Sequence, residues 1–257
     1  MTRISHTYGR RGRLSEADSG IRQVAPTYGK AKLSTFNEKA SGHINVEHNP
    51  ERLISHLFAI DPRVKTFRPQ PFSVDLVDQR LLLTKEAKND AWHRHRDVEG
   101  EKLYTPDFSI DWVDGLHSSV EVKAEGFEGH RIYWDKIARA RPILNANGYP
   151  LRTVVIPADA GHPLRANAWL LKQAMGRITT YLNDEIVEKV SARCEDGPVT
   201  MSSLCKDLQL HPGLIPVLLV AGVLNGDLGH HRIVGTLELN LAYGDLSHLS
   251  LMEVLEK

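Results

Sequence analysis

The order of elements along this 257-residue chain predicts an α/β fold, a mixed sheet flanked by helices, followed by a smaller, mostly helical C-terminal part. Three observations carry that expectation. Apolar residues recur at helical spacing near residue 55, strand-like alternation lies on both sides of the turn pair Asp114-Gly115, and a helix-plus-strand pattern follows as far as Ile156.

The first helix is read in Glu51–Ile60, where Leu53, Ile54, Leu57, Phe58 and Ile60 fall three and four apart. Asn49 is its expected N-cap, Pro50 its first helical residue, and Pro62 its end. Glu51 then sits in the first turn, where the helix dipole favours an acid. An extended segment broken by Pro69 and Pro71 follows, and Leu81-Leu82-Leu83 reads as a strand. The polar and basic stretch from Thr84 to Arg96 reads as an insertion or hairpin beside the site. Tyr104–Val113 and Ser119–Ala124 read as two strands paired across Asp114-Gly115. Alternation in the second strand turns Glu121 and Lys123 one way and Val120, Val122 and Ala124 the other.

The pairing brings Asp107 within reach of Glu121, and Lys123 lies two residues further on. Carboxylates without soft ligands suit Mg²⁺, or Mn²⁺, ions that polarise a phosphoryl oxygen and acidify water. A lysine at that position orients the water or offsets charge on the phosphate. The pattern is what metal-dependent phosphodiester hydrolysis asks of a hairpin, but taken alone it favours the plainer reading of a solvated Glu/Lys pair on a surface hairpin, since these residue types are common on exposed strands.

Taken in order, Glu51-Arg52, Asp61-Pro62, Val64, Gln70-Pro71, Thr105-Pro106-Asp107-Phe108 and Glu121-Val122-Lys123 resemble the PD-(D/E)XK nuclease superfamily. More narrowly they resemble the TnsA-type endonuclease subunit of Tn-seven-like heteromeric transposases. Tyr133–Arg141 and Gly148–Ile156 resemble the helix and strand that complete that core. The resemblance implies a restriction-endonuclease-like core in which Glu51, Asp107 and Glu121 hold the metal, Val122 adds a main-chain carbonyl, and Lys123 is the catalytic lysine. It also implies cleavage of the non-transferred strand at the 5′ ends of the element. The implied partners are transposon-end DNA, a DDE-type transposase subunit and an AAA+ regulator that docks on the C-terminal domain. A free-standing restriction-type or junction-resolving nuclease of the same superfamily is the alternative, and a non-catalytic scaffold the third reading.

The chain is expected to divide into a basic arm (1–40), a nuclease core (41–165) and a C-terminal winged-helix-like domain (166–257), and charge is spread unevenly along it. Residues 1–50 hold 8 basic and 4 acidic residues, 51–180 hold 19 and 17, and 181–257 hold 5 and 11. The basic arm, with Arg3, Arg10, Arg11 and Arg13, suits phosphates, whereas the acidic end suits a protein partner. Further DNA contacts are expected from Lys85, Lys88, Arg94 and Arg96, and from Arg131, Lys136, Arg139 and Arg141 on the following helix.

In the C-terminal part, Trp169, Leu170, Leu171, Ala174 and Ile178 form an apolar stripe. Three further helical segments and a hairpin-like segment at Arg232–Leu239 outline a winged helix. Its third helix, Leu214–Leu224, has no charged residue, which argues against base reading. Two cysteines in no CxxC pair, no long apolar run and a polar N-terminus lead to an expected cytoplasmic location without a membrane span. Neither Trp92–Arg96 nor His230-His231 has a second ligand pair at zinc spacing.

Overall fold

A computed structural model describes residues 20–21, 33–40 and 42–256. The arginines of the expected basic arm lie outside the described residues. At the end of that arm, β1 (Leu33–Asn37) pairs antiparallel with β2 (Gly42–Val46).

The main sheet has the strand order β3-β7-β8-β9. In it β3 (Val64–Pro69) and β7 (Phe108–Trp112) are antiparallel, as are β7 and β8 (His117–Ala124), while β8 and β9 (Leu151–Ile156) are parallel. The sheet is thus mixed and flanked by helices. The β7–β8 turn follows from its residues: Gly115 takes φ +85°, and Asp114 Oδ1 accepts the Leu116 N–H at 2.9 Å.

Helix α1 (Asn49–Ile60) buries Leu53, Ile54, Leu57, Phe58 and Ile60 in the larger of two apolar clusters. Phe58 meets Phe67 of β3 and Phe108 of β7 with ring centroids 5.1 and 5.4 Å apart. Rings of this kind, fully removed from water, each contribute about 1.5–3 kcal/mol, so this seat holds the C-terminal end of α1 against the sheet. The helix starts one residue earlier than expected, with His48 as N-cap and Asn49 inside. Asp61 shapes its exit, because Oδ1 accepts the Arg63 N–H at 2.9 Å and the guanidinium returns to the same carboxylate.

A second cluster joins α3 (Arg131–Ala146) to a small antiparallel sheet, β5-β4-β6, of β4 (Ser73–Asp75), β5 (Arg80–Leu82) and β6 (Leu103–Tyr104). Here the structure corrects two expectations. Tyr104 belongs to this sheet and not to β7, because Thr105-Pro106-Asp107 interrupts the ladder and Pro106 has no N–H to give. The stretch after Leu83 is a helix, α2 (Lys85–Arg94), not a hairpin. Thr84 caps it by accepting the Ala87 N–H, and no β-branched residue occurs within it.

Helix α4 (Pro163–Met175) packs on α1 and also on α8 (Ile215–Val220). The expected boundary at 165/166 therefore falls inside one helix. Its buried face is Leu164, Asn167, Ala168, Leu171 and Ala174. Of the expected stripe, Leu171 and Ala174 are therefore buried and Ile178 packs against the core, whereas Trp169 and Leu170 stay exposed. Beyond it come α5 (Ile178–Tyr181), α6 (Asp184–Cys194), β10 (Val199–Thr200), α7 (Met201–Asp207), α8, β11 (Leu224–Asn225) and β12 (Glu238–Leu241). The last three strands form an antiparallel sheet in the order β10-β12-β11. Helix α8 is shorter than the expected Leu214–Leu224, since a 3₁₀ turn precedes it and Gly222 follows at φ +72°. The chain then returns to the core, where Glu256 bridges Val154 and its carboxylate meets Arg152 at 2.9 Å. Among the described residues no helix is long and apolar enough to cross a membrane.

Candidate active site

The β7–β8 pair, the start of α1 and the sides of α2 and α3 enclose a cleft of about 460 Å³ whose lining includes Glu51, Asp107, Glu121, Val122 and Lys123. Strand alternation sends Val120 and Val122 into the core beneath α1, while Glu121 faces Tyr104 and Tyr133. Ala124, expected to be buried beside them, is exposed because β8 is ending there.

Each carboxylate is held differently. Asp107 Oδ2 accepts the Val122 N–H at 2.7 Å across the hairpin. Glu121 is buried, and its Oε2 accepts the Tyr104 hydroxyl at 2.5 Å. Its Oε1 accepts the Tyr133 hydroxyl and the Lys123 ammonium, both at 2.6 Å. Lys123 Nζ also lies 4.5 and 4.9 Å from the ring centroids of Tyr133 and Phe127, which fixes the ammonium by cation–π attraction. Glu51 reaches back from the first turn of α1, and its Oε2 accepts the N–H of Glu47, the residue before the N-cap, at 2.8 Å.

Burial pushes the Asp107 carboxyl well above the ordinary carboxylate range, and the neighbouring Glu121 and Glu51 carboxylates push it further, against the downward pull of Val122 N–H and Lys123. Tyr104 and Tyr133 are likewise raised, by burial and then by the Glu121 charge, so both phenols stay protonated donors. A site that resists its own ionisation in this way is one in which a cation would be stabilised. The donors are hard oxygens, the type that Mg²⁺ and Mn²⁺ take.

The three expected ligands share the cleft without converging on one point. Among the described residues, the groups of three whose ligand atoms close to within 4.8 Å are Glu47–His48–Glu51 and Asp75–Asp78–His95. In the first, Glu51 has neighbours that the motif spacing did not single out, and Gln70 Nε2 donates to Glu47 Oε1 at 2.8 Å. Gln70 itself sits at φ 42° and gives its N–H to Asp107 O at 2.8 Å, so the Gln-Pro motif ties the end of β3 to the segment that carries Asp107. The second group is already neutralised, because Arg94 lies 2.6 Å from Asp78 and 3.4 Å from Asp75, with Arg80 beside them.

Of the cations expected to meet DNA, Lys88 and Lys136 line the cleft, together with Trp92. Lys85, Arg96 and Arg131 are exposed, Arg96 beside Asp97 and Arg131 beside Asp135. Three arginines are engaged in the fold. Arg94 binds the Asp75 hairpin, Arg139 donates to the carbonyls of Glu101 and Leu76, and Arg141 donates to that of Leu151. Sequence reasoning missed Tyr104 and Tyr133 as partners of Glu121. Tyr104 belongs to another sheet and Tyr133 to a helix, and no local spacing links either to β8.

Fold and cleft together define a class: a mixed α/β protein with a carboxylate-and-lysine cleft on one hairpin of its main sheet. No family model matches the sequence, and no curated protein matches it.

Proposed function

We propose that this protein is a metal-dependent DNA endonuclease with a restriction-endonuclease-like core, acting as the TnsA-type subunit of a heteromeric cut-and-paste transposase. The observation that carries the nuclease reading is the meeting of Asp107, Glu121 and Lys123 on one antiparallel hairpin, in a cleft that also receives Glu51. The ordered motifs from Glu51 to Lys123 carry the narrower one. A divalent cation, Mg²⁺ or Mn²⁺, bound in the cleft that Asp107, Glu121, Glu51 and Val122 line would supply charge neutralisation and Lewis-acid polarisation at a scissile phosphate.

The chain's own residues supply position. Val122 N–H fixes Asp107, and the Tyr104 and Tyr133 hydroxyls fix Glu121. Lys123 Nζ holds the attacking water or offsets the charge that develops on the phosphate. Lys88 and Lys136 at the cleft wall suit the phosphate backbone.

The C-terminal helices and three-stranded sheet suit a winged-helix-like domain that binds protein. Every residue of α8, where a recognition helix would stand, is buried. That burial favours a subunit brought to DNA by a DDE-type transposase and an AAA+ regulator over a nuclease that reads its own site. The test is plasmid cleavage with Mg²⁺ or Mn²⁺, with and without a DDE-type transposase and an AAA+ ATPase of the same element. Cleavage at element ends that needs those partners and is lost in Asp107→Ala and Lys123→Ala is expected. Undiminished cleavage by Asp107→Ala, or none with the partners present, would overturn the reading.

A further inference from the structure

A second cavity, of about 560 Å³, opens between α1 and α4 and shares no lining residue with the acidic cleft. Arg52 of α1 and Arg165 of α4 line it, and no acidic residue does among the described ones. It also holds two features the proposed nuclease leaves unused. His56 is 3% exposed, yet its Nε2 has no hydrogen-bond partner among the described residues. A buried polar nitrogen in that state is one that a ligand can satisfy. Trp169 keeps 49% of its surface exposed on a helix whose other face is fully packed, and its ring lies 5.3 Å from the His56 imidazole.

We infer that this cavity binds a nucleoside phosphate, with the phosphate on Arg52 and Arg165, the base against Trp169, and His56 Nε2 bonded to the base or sugar. The assignment follows from the chemistry of the wall. Two guanidiniums without a nearby lining carboxylate select an anion, and their planar forks suit phosphate oxygens. Arg165 already gives two of its donors to Pro157 O, at 3.1 and 2.6 Å, which anchors the group while leaving a further nitrogen for a ligand. An exposed indole gives a base a stacking face. Burial, with Lys172 and Arg52 close by, lowers the His56 pKa to about 4, so the ring is neutral near pH 7 and acts as a hydrogen-bonding group. A cavity of this volume suits a ligand of nucleotide size. The nucleotide is either free or the phosphorylated end of a strand, the same chemistry from two sources. The inference asks only for binding and does not depend on the endonuclease reading.

The test uses the full chain, titrated separately with adenosine 5′-monophosphate and with a short 5′-phosphorylated single strand, by calorimetry and tryptophan fluorescence. Saturable binding of the mononucleotide with Kd below about 1 mM, with quenching lost in Trp169→Phe, is expected for a free-nucleotide site. Saturation by the strand alone, with the same dependence on Trp169, assigns the site to a strand end. In either case Arg52→Gln weakens binding at least about tenfold, Arg165→Gln is the second variant should the first fail to fold, and Lys189→Gln, on exposed α6, changes nothing. Absence of saturation by both titrants, or affinity unmoved in the folded arginine variants, overturns the inference.

Discussion

Tyr104 of the small sheet donates its hydroxyl to Glu121 Oε2 of the main sheet at 2.5 Å. One hydrogen bond thus joins two sheets at the carboxylate on which the proposed chemistry turns. Both residues are buried, and a hydrogen bond to a charged group contributes about 1.5–3 kcal/mol. Tyr104→Phe is expected to lower stability within that range, leaving Glu121 held by Tyr133 and Lys123. It is also expected to reduce cleavage more than binding of DNA. Thermal unfolding, together with separate measurements of binding and turnover, checks both.

Asp107 sets function against stability. Its folded-state pKa lies above that of the unfolded chain, so the native state keeps a proton that the unfolded state has released. Stability therefore falls as pH rises from the ordinary carboxylate range toward the folded pKa, and the loss is complete above it. Asp107→Asn keeps an acceptor for the Val122 N–H and removes the charge. In the absence of metal it is expected to unfold at a higher temperature than the natural protein at pH 7, with the gap closing below about pH 4. Added Mg²⁺ is expected to stabilise the natural chain and not the variant. Melting curves across pH, with and without Mg²⁺, check this, and equal melting of the two proteins at pH 7 would count against a strained carboxylate.

The features legible in the sequence were those set by neighbours in the chain. Asp114-Gly115 and the alternation around it gave the hairpin, and the spacing of Leu53, Ile54, Leu57 and Phe58 gave α1. Helix α2 was harder to read because only Ala91 of its residues is buried, so it carries little apolar periodicity and is marked mainly by Thr84. Helix α4 has apolar residues on adjacent flanks, and only contact with α1 and α8 decides that Leu171 goes in and Trp169 stays out. The acids were legible as types in order. Their settings were not, because the Tyr104 and Tyr133 phenols reach Glu121 through tertiary packing.

His56 ties stability to pH in the opposite direction from Asp107. Its folded pKa, about 4, lies below the ordinary 6.5, so on acidification the unfolded chain takes up the proton first. The contribution is fully present above about pH 6.5 and is lost as pH falls toward 4, by up to about 3 kcal/mol across the gap. His56→Gln, polar but without a titrating ring, is expected to flatten the stability profile between those pH values. Denaturant unfolding at pH 7 and pH 4.5 measures the difference, and an unchanged slope in the variant would assign the acid sensitivity elsewhere.

Asn167 holds the C-terminal part to α4. It is fully buried, its Nδ2 donates to the carbonyls of Leu228 and His231 at 2.8 and 2.7 Å, and its Oδ1 accepts the Ile233 N–H at 3.0 Å. One side chain thereby satisfies three backbone groups of the loop between β11 and β12. Asn167→Ala leaves them without these partners, and a buried group so exposed to desolvation costs about 1–3 kcal/mol. Asn167→Asp keeps the acceptor but puts a carboxylate against two carbonyl oxygens, so it is expected to destabilise at least as much. Hydrogen exchange should show the loss first at Ile233, whose N–H loses its acceptor in the Ala variant, while β7 and β8 keep their protection. Equal loss of protection in β8 would mean that the C-terminal sheet and the acidic cleft unfold as one unit.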